Sequence, residues 1–228
     1  MGLTDRDWIL TRIEGSLGRM NEKEVPLVQD RIVSPPEWLQ DDVPWDEAEK
    51  ELELLSDRFH LAGDEAGMRR ILKNIVREHD VTLAVQWEHS LLQEAGIEKI
   101  LGEMGVKVAI PSREEEWKEV SARAQLGITA ADAIIMESGT LVLRASKEQG
   151  RSTSLLPPVH LAIVRADQRL RSLGSLPGLC RSWAAQPQGL PSAVALVTGH
   201  SRTADIELTL VSGVHGPRVV HVVGLKAG

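Results

Sequence analysis

The sequence of 228 residues contains one cysteine, one phenylalanine and no tyrosine. The single thiol, Cys180, cannot form an internal disulfide, a CxxC redox pair or a four-cysteine iron–sulfur or zinc site. The lack of tyrosine excludes a tyrosine general acid and a tyrosyl radical. The core must therefore rely on Leu, Ile, Val and Ala, in a chain long enough for one large or two small domains.

Several other features are missing. The chain lacks a run of roughly 18 uncharged apolar residues, which a membrane span requires. Its amino terminus does not resemble a signal peptide, and Arg6 stands where a myristoylation site has Ser or Thr. HExxH, Walker A and GxGxxG motifs are absent, and no basic clusters favour nucleic acid as a partner. We expect a cytoplasmic protein without a membrane span.

Charge is divided unevenly along the chain, whose net charge is −7. Residues 1–125 carry 16 basic and 27 acidic side chains, whereas residues 126–228 carry 10 basic and 6 acidic ones. Eight of these ten basic residues are Arg, which suits bidentate recognition of carboxylate or phosphate. The second half is therefore predicted to bind a small anion.

Hydrophobic periodicity predicts two regions. Residues 1–80 are predicted to form a helical extension, with one amphipathic helix running through Phe59 and Ala62 and the next capped by Asp64. Residues 81–228 alternate strands with helices, which predicts an α/β domain with a mainly parallel sheet. The nearly continuous apolar runs, such as AVALVT (193–198), predict strands buried on both faces.

The first motif is the turn ESGT (137–140), which predicts a tight hairpin between ADAIIM and TLVLRA. Glu137 either only flanks this turn or provides a carboxylate at a strand end, with Gly139 and Thr140 as nearby donors.

The second motif is GRSTSLLPPVH (150–160). Arg151 and Ser154 belong either to an anion-binding loop or to an exposed surface loop before the strand that begins at His160.

The densest polar cluster is TGHSRTADIE (198–207), directly after a predicted strand. A helix opening after Gly199 would present backbone N–H groups to an anion, but alternating apolar residues from Ile206 onward fit a strand equally well. The segment also nearly matches the G-x-S-x-G nucleophile elbow around Ser201. Thr203 replaces the second Gly and Asp205 is too close for the usual triad order, which disfavours a serine hydrolase.

The histidines do not predict a metal site. His215 and His221 would lie about 20 Å apart if both belonged to one strand, which is too far to bind one metal ion. His160 and His200 lie singly beside the predicted anion loops, where a hydrogen-bonded structural histidine is the more common case.

Three blocks of sequence, in this order, resemble the LUD (lactate utilization) domain family. They are GITAADAIIMESGTLVLRA (127–145), GRSTSLLPPVHLAIV (150–164) and TGHSRTADIELTLVSGVHGPRVVHVV (198–223). Together they cover about 60 of 228 residues. One departure is His200, where the family usually has Pro.

The resemblance implies a fold like that of the NagB/RpiA/CoA-transferase-like superfamily, an α/β sandwich with a mainly parallel sheet. It also implies a component of a system that oxidises L-lactate to pyruvate with iron–sulfur and cysteine-rich partner subunits. With Cys180 alone, this chain cannot hold such clusters, so we expect no cofactor in it. Glu137 would orient the ligand or act as a base. The residues expected to bind a small anion are Gly139, Thr140, Arg151, Ser154, His160, Gly199, Ser201, Arg202, Thr203, Asp205 and His215.

Two alternatives stay open. Glu137 with Gly139 is similar to the ExG motif of CoA transferases, which would make the chain a stand-alone CoA-transferase-like or sugar-phosphate-isomerase-like enzyme. The chain could instead be a non-catalytic scaffold whose residues 1–80 dock iron–sulfur partners.

Overall fold

A computed structural model describes residues 58–111, 116–187, 189–204 and 210–226, which belong to one compact unit. Six strands form a fully parallel sheet in the order β1-β12-β7-β4-β2-β3. These strands are β1 (Arg58–Ala62), β2 (Leu83–Gln86), β3 (Lys107–Ala109), β4 (Leu126–Ala130), β7 (Val159–Arg165) and β12 (Val219–Leu225). The predicted α/β fold with a mainly parallel sheet is confirmed.

A second sheet packs against this parallel sheet through Ile134, Leu141 and Leu143, which share its core with Leu161. Its strands follow the order β8-β5-β6-β9. They are β5 (Ala133–Ile135), β6 (Thr140–Ala145), β8 (Arg169–Leu170) and β9 (Ala193–Val197). The antiparallel pair β5–β6 is the hairpin predicted from ESGT. A separate antiparallel pair consists of β10 (Arg202–Ala204) and β11 (Leu210–Ser212).

Helices connect the parallel strands, as crossover connections require. They are α1 (Glu65–Glu78), α2 (Ser90–Glu94), α3 (Ile97–Glu103), α4 (Trp117–Arg123), α5 (Ser152–Leu155) and α6 (Leu176–Ala184). Within the described ranges, no helix has the length and apolar character needed to cross a membrane.

Helix α1 begins where the sequence predicts. The Asp64 carboxylate accepts a hydrogen bond of 2.7 Å from the backbone N–H of Gly67, which satisfies one of the free donors of the first turn. Met68, Leu72 and Ile75 are buried at spacings of four and three residues. This stripe attaches the helix to the core.

Strand β1 replaces part of a predicted helix. The sequence predicts an amphipathic helix through Phe59 and Ala62. That prediction is wrong, because both residues lie in β1 and pair in parallel with Val222 and Leu225 of β12. Hydrogen bonding to the parallel sheet overrides the local helical periodicity. The sheet and its core thus continue across the boundary predicted at residue 80. Residues 1–57 of the predicted extension lie outside the described residues.

Strand β9 differs from the other apolar runs. Strands β4 and β7 are buried on both faces, apart from the terminal Arg165. In β9, by contrast, Val194 is 38% exposed and Leu196 is 45% exposed. Because β9 is the end strand of the smaller sheet and packs through one face, the prediction that it is buried on both faces is wrong.

Helix α5 packs very closely on β4. A Cβ atom at Gly127 would lie 1.8 Å from the backbone oxygen of Thr153. Glycine is therefore required at residue 127 by the close approach of the two backbones.

Candidate functional site

The turn between β5 and β6 carries a row of three hydroxyl groups. Ser138 Oγ lies 2.7 Å from Thr140 Oγ1, and Thr140 Oγ1 lies 2.7 Å from Oγ1 of Thr198, which follows β9. Thr140 is 6% exposed, whereas Thr198 is exposed. This hydroxyl row (Ser138, Thr140, Thr198) therefore connects the buried hydroxyl of Thr140 with the exposed Thr198. It also joins two segments that the sequence predicts to bind an anion.

The hydroxyl row has the chemistry to donate to an anion. Each hydroxyl can donate one hydrogen bond and accept another, and bonds in series polarise one another. An anionic oxygen at Thr198 would align all three O–H bonds toward solvent. The flanking residues Gly139 and Gly199 adopt φ angles of +61° and +66°, which glycine tolerates best. They turn the chain on either side of the Thr140–Thr198 contact.

Glu137 lies next to the hydroxyl row and is exposed. Its Oε1 accepts a hydrogen bond of 2.7 Å from the backbone N–H of Leu173. Its own N–H donates to the carbonyl oxygen of Arg171 at 3.0 Å. The carboxylate thus holds the start of the 3-10 turn Leu173–Ser175, and its second oxygen makes no hydrogen bond within the part of the chain that the structure describes.

The segment after Gly199 forms a strand. In β10, Arg202 and Thr203 pair with Ser212 and Val211. A helix N-terminus is therefore not formed by residues 202–204. The strand that alternating apolar residues predict from Ile206 onward falls mostly on residues 205–209, which lie outside the described residues. Asp205 lies outside the described residues.

Ser201 connects this segment to the loop that precedes β12. Its N–H donates to the carbonyl oxygen of Pro217 at 2.9 Å, and its own carbonyl oxygen accepts from the N–H of Gly213 at 2.9 Å. His215 lies exposed in the same loop. The backbone thus fixes the positions of Ser201 and the His215 loop relative to each other.

The same loop also contacts the segment after α5. The carbonyl oxygen of Pro158 accepts from the N–H of Arg218 at 2.8 Å, beside the first residues of β7 and β12. Together with the contacts of Ser201, this bond connects Thr198, Ser201 and the His215 loop with the amino ends of β7 and β12. Arg151 directly follows Gly150, whose carbonyl oxygen accepts from Trp87 Nε1 at 2.9 Å, next to the carboxyl end of β2.

Arg151 and Ser154, at the start of the second predicted motif, differ in accessibility. Arg151 is exposed. Ser154 is 5% exposed, and its hydroxyl donates to the carbonyl oxygen of Arg151 at 3.1 Å. The Ser154 hydroxyl thus forms a hydrogen bond at the start of α5, whereas the Arg151 side chain is exposed to solvent.

His160 is enclosed in β7. It is fully buried, and its Nε2 lies 2.9 Å from Thr129 Oγ1. Burial lowers the pKa of His160 to about 4, so the imidazole is neutral at physiological pH. Its Nδ1 is buried without a hydrogen-bond partner among the described residues, and the side chain does not reach solvent.

Three histidines form a chain that the sequence does not reveal. His60 Nε2 lies 3.0 Å from His221 Nδ1, and His79 Nε2 lies 3.1 Å from His221 Nε2. Burial, followed by the charges of His60 and His79, lowers the pKa of His221 to about 3. Because the two outer rings approach different nitrogens of His221, the three rings do not converge on one point. Within the described ranges, no group of three or more His, Cys, Asp or Glu side chains is arranged to hold a metal ion.

Sequence reasoning overlooked Thr198 and the histidine chain for different reasons. Thr198 directly follows an apolar strand and precedes Gly199, and that position is a usable signal for a polar residue at a strand end. His60, His79 and His221 are remote from one another in sequence, and no spacing rule connects them.

The fold defines an α/β protein in which a parallel sheet packs against a smaller mixed sheet. A family model described as the LUD domain matches residues 45–224. The chain belongs to the LUD domain family.

Relatives with the name "Lactate utilization protein C" support this membership. The protein of that name from Halalkalibacterium halodurans is 32% identical over 150 residues, which cover 66% of this chain and 65% of that protein. The protein of that name from Shouchella clausii is 30% identical over 225 residues, which cover 94% of this chain and 95% of that protein.

A solved structure shares the fold. The crystal structure of a DUF162 family protein from Deinococcus radiodurans aligns with a TM-score of 0.53 and 21% sequence identity, over 79% of this chain and 95% of that chain. At this identity the likeness concerns the fold alone.

Proposed function

We propose that this chain is a component of a lactate utilization system and binds a small anionic ligand at the amino ends of β7 and β12. The names of its relatives support the role in lactate utilization. The observation that carries the ligand proposal is the 2.7 Å contact between Thr140 and Thr198, which ends an ordered row of hydroxyl donors at the protein surface.

Two arginine residues favour an anionic ligand. Arg151 is exposed and Arg202 lies in β10, next to Ser201. Guanidinium groups pair with carboxylate or phosphate, and charge-assisted hydrogen bonds are about twice as strong as neutral ones. L-Lactate and pyruvate each offer one carboxylate, so either fits a site with hydroxyl and guanidinium donors.

Electron transfer would take place in partner subunits. Lactate oxidation releases two electrons, and the single cysteine of this chain cannot bind an iron–sulfur cluster by four thiolates. In this proposal the chain binds the anion while iron–sulfur and cysteine-rich subunits carry the electrons.

Calorimetric titration of the full chain with L-lactate, pyruvate and inorganic phosphate tests the ligand proposal. At least one anion should bind, and the double variant Arg151→Ala/Arg202→Ala should weaken that binding by about tenfold or more. The matched control is Arg77→Ala/Arg181→Ala, which removes two exposed guanidinium groups elsewhere. If the wild type binds none of the three anions, or if both double variants bind like the wild type, the proposal is wrong.

The enzyme alternative rests on the exposed carboxylate of Glu137, whose free oxygen is open to solvent. If the chain alone transfers CoA or isomerises a sugar phosphate, turnover should be lost in Glu137→Gln. That variant keeps an oxygen able to accept the hydrogen bond from Leu173 N–H. Absence of turnover without partner proteins favours the component role over the enzyme.

A further inference from the structure

A cavity of about 340 Å³ opens at the carboxyl ends of β1, β7 and β12, at the opposite edge of the sheet from the hydroxyl row. Ala62, Met68 and Leu91 line it and are each 2–3% exposed. Its volume falls within the range of sites that hold small organic ligands. These three buried residues give the carboxyl-edge cavity an apolar floor.

The acidic groups that line the cavity already have partners in the protein. Asp64 accepts the hydrogen bond from Gly67 N–H at 2.7 Å. Glu65 forms an ion pair with Arg69 at 3.2 Å. A third carboxylate, that of Glu94, pairs with Arg165 across the cavity lining.

Two ammonium groups at the cavity have no ion-pair partner among the residues that the structure describes. Lys99 and Lys226 both line the cavity and are exposed. Neither side chain makes an ion pair or a hydrogen bond within the part of the chain described by the structure. The mouth thus presents two available positive charges above an apolar floor.

We propose that the carboxyl-edge cavity binds an organic monoanion with an aliphatic portion, of the class of short-chain to medium-chain carboxylates. The aliphatic portion would contact Met68 and Leu91, and the carboxylate would lie between Lys99 and Lys226. Lactate, which has a single methyl group and a polar hydroxyl, would leave most of the apolar floor uncovered. This site is independent of the proposed anion site, because the seven residues of β12 separate the two edges by about 20 Å.

The apolar floor predicts a dependence of affinity on chain length. Each methylene that becomes buried improves binding roughly fourfold. Affinity should therefore rise from acetate to butyrate to hexanoate and level off once the cavity is filled. The neutral analogue 1-hexanol should bind through the floor alone and more weakly than hexanoate.

Calorimetric titration of the full chain with these four compounds tests the proposal. Lys99→Ala/Lys226→Ala should weaken hexanoate binding by about tenfold and leave hexanol binding unchanged. Lys107→Ala/Lys147→Ala, which removes two exposed ammonium groups away from the cavity, should bind hexanoate like the wild type. Ala95→Leu narrows the half-buried wall of the cavity and should weaken both ligands.

Three results would overturn the proposal: no hexanoate binding at millimolar concentration, equal affinity for acetate and hexanoate, or an unchanged affinity in Lys99→Ala/Lys226→Ala. The variant Arg151→Ala/Arg202→Ala should bind hexanoate like the wild type. The two proposals are tested with different anions and different variants. A negative result for hexanoate binding is therefore distinguishable from a negative result for lactate, pyruvate or phosphate binding.

Discussion

The imidazole rings of His60 and His221 stack with their centroids 5.2 Å apart and their planes inclined by 17°. Two protonated imidazoles at this separation would repel each other. His221 is 1% exposed, and burial is the first cause that lowers its pKa to about 3. Burial and the neighbouring Arg58 also lower the pKa of His60. The pair is therefore held neutral by the folded structure.

Stability should fall in mild acid because of these histidines. The pKa values of His221 and His160 are about 3 and about 4 in the folded chain, against 6.5 for a histidine exposed to water. The unfolded chain therefore binds more protons below pH 6.5. The free energy of unfolding should decrease by about 1.4 kcal/mol per pH unit for each histidine as the pH falls from 6.5 toward 4. Urea unfolding at several pH values measures this slope.

A variant of His221 tests whether this histidine causes the pH dependence of the free energy of unfolding. His221→Gln should show a shallower pH dependence than the wild type, whatever its stability at neutral pH. His215→Gln, at an exposed position, should keep the wild-type slope. Identical slopes in all three proteins would contradict the assignment to His221.

Gly127→Ala should disrupt the contact between β4 and α5. The added methyl would lie 1.8 Å from the backbone oxygen of Thr153, so one of the two backbones must move. We expect a loss of about 3 kcal/mol or more in the free energy of unfolding. Gly102→Ala, in helix α3 with nothing within 4 Å of the new Cβ, should be neutral or stabilising by up to about 1 kcal/mol. Equal melting temperatures for the two variants would refute this explanation.

Thr140→Val should cost stability through the hydroxyl row. Thr140 is 6% exposed and its hydroxyl contacts both Ser138 and Thr198. Its removal should lower the free energy of unfolding by about 1–2 kcal/mol. Thr198→Val removes the exposed hydroxyl of the row, and Thr140 keeps its contact with Ser138. This variant should therefore lower the free energy of unfolding by about 0.5 kcal/mol or less. Chemical denaturation compares the two, and a larger loss in Thr198→Val would contradict the expected order.

Asp132→Asn should weaken the connection between β4 and β6. Asp132 Oδ1 lies 2.6 Å from Arg144 Nε, and Oδ2 accepts from the Arg144 backbone N–H at 3.0 Å. The asparagine side chain has one oxygen and one NH2 group. The NH2 group would therefore face an N–H donor of Arg144, and one of the two hydrogen bonds would be lost. We expect a loss of about 1–2 kcal/mol, measured by thermal unfolding. Asp167→Asn, at an exposed position, should leave the melting temperature unchanged.

Local patterns predicted many elements correctly because their causes lie within a few residues. The N-cap at Asp64 needs only the first turn of its helix, and the ESGT hairpin needs only a glycine able to adopt positive φ. The strand β1 could not be predicted in this way. Its conformation depends on hydrogen bonds to β12, which follows more than 150 residues later.

In the candidate site, too, some features could be predicted from local sequence and others depend on the tertiary structure. Arg151, Gly199 and Ser201 could be selected from residue type and position alone. The contact of Thr140 with Thr198 depends on the pairing of β6 with β9, which brings together residues 58 positions apart.

By itself, the sequence determined the class of the protein. Alternating apolar runs, turn residues and a single cysteine suffice for an α/β chain without a four-cysteine cluster, because these properties follow from local periodicity and composition. Only the tertiary structure decided which polar groups meet. Strand order placed His60 beside His221 and Thr140 beside Thr198, and burial then made the His221 imidazole neutral, since desolvation depends on neighbours that are remote in sequence.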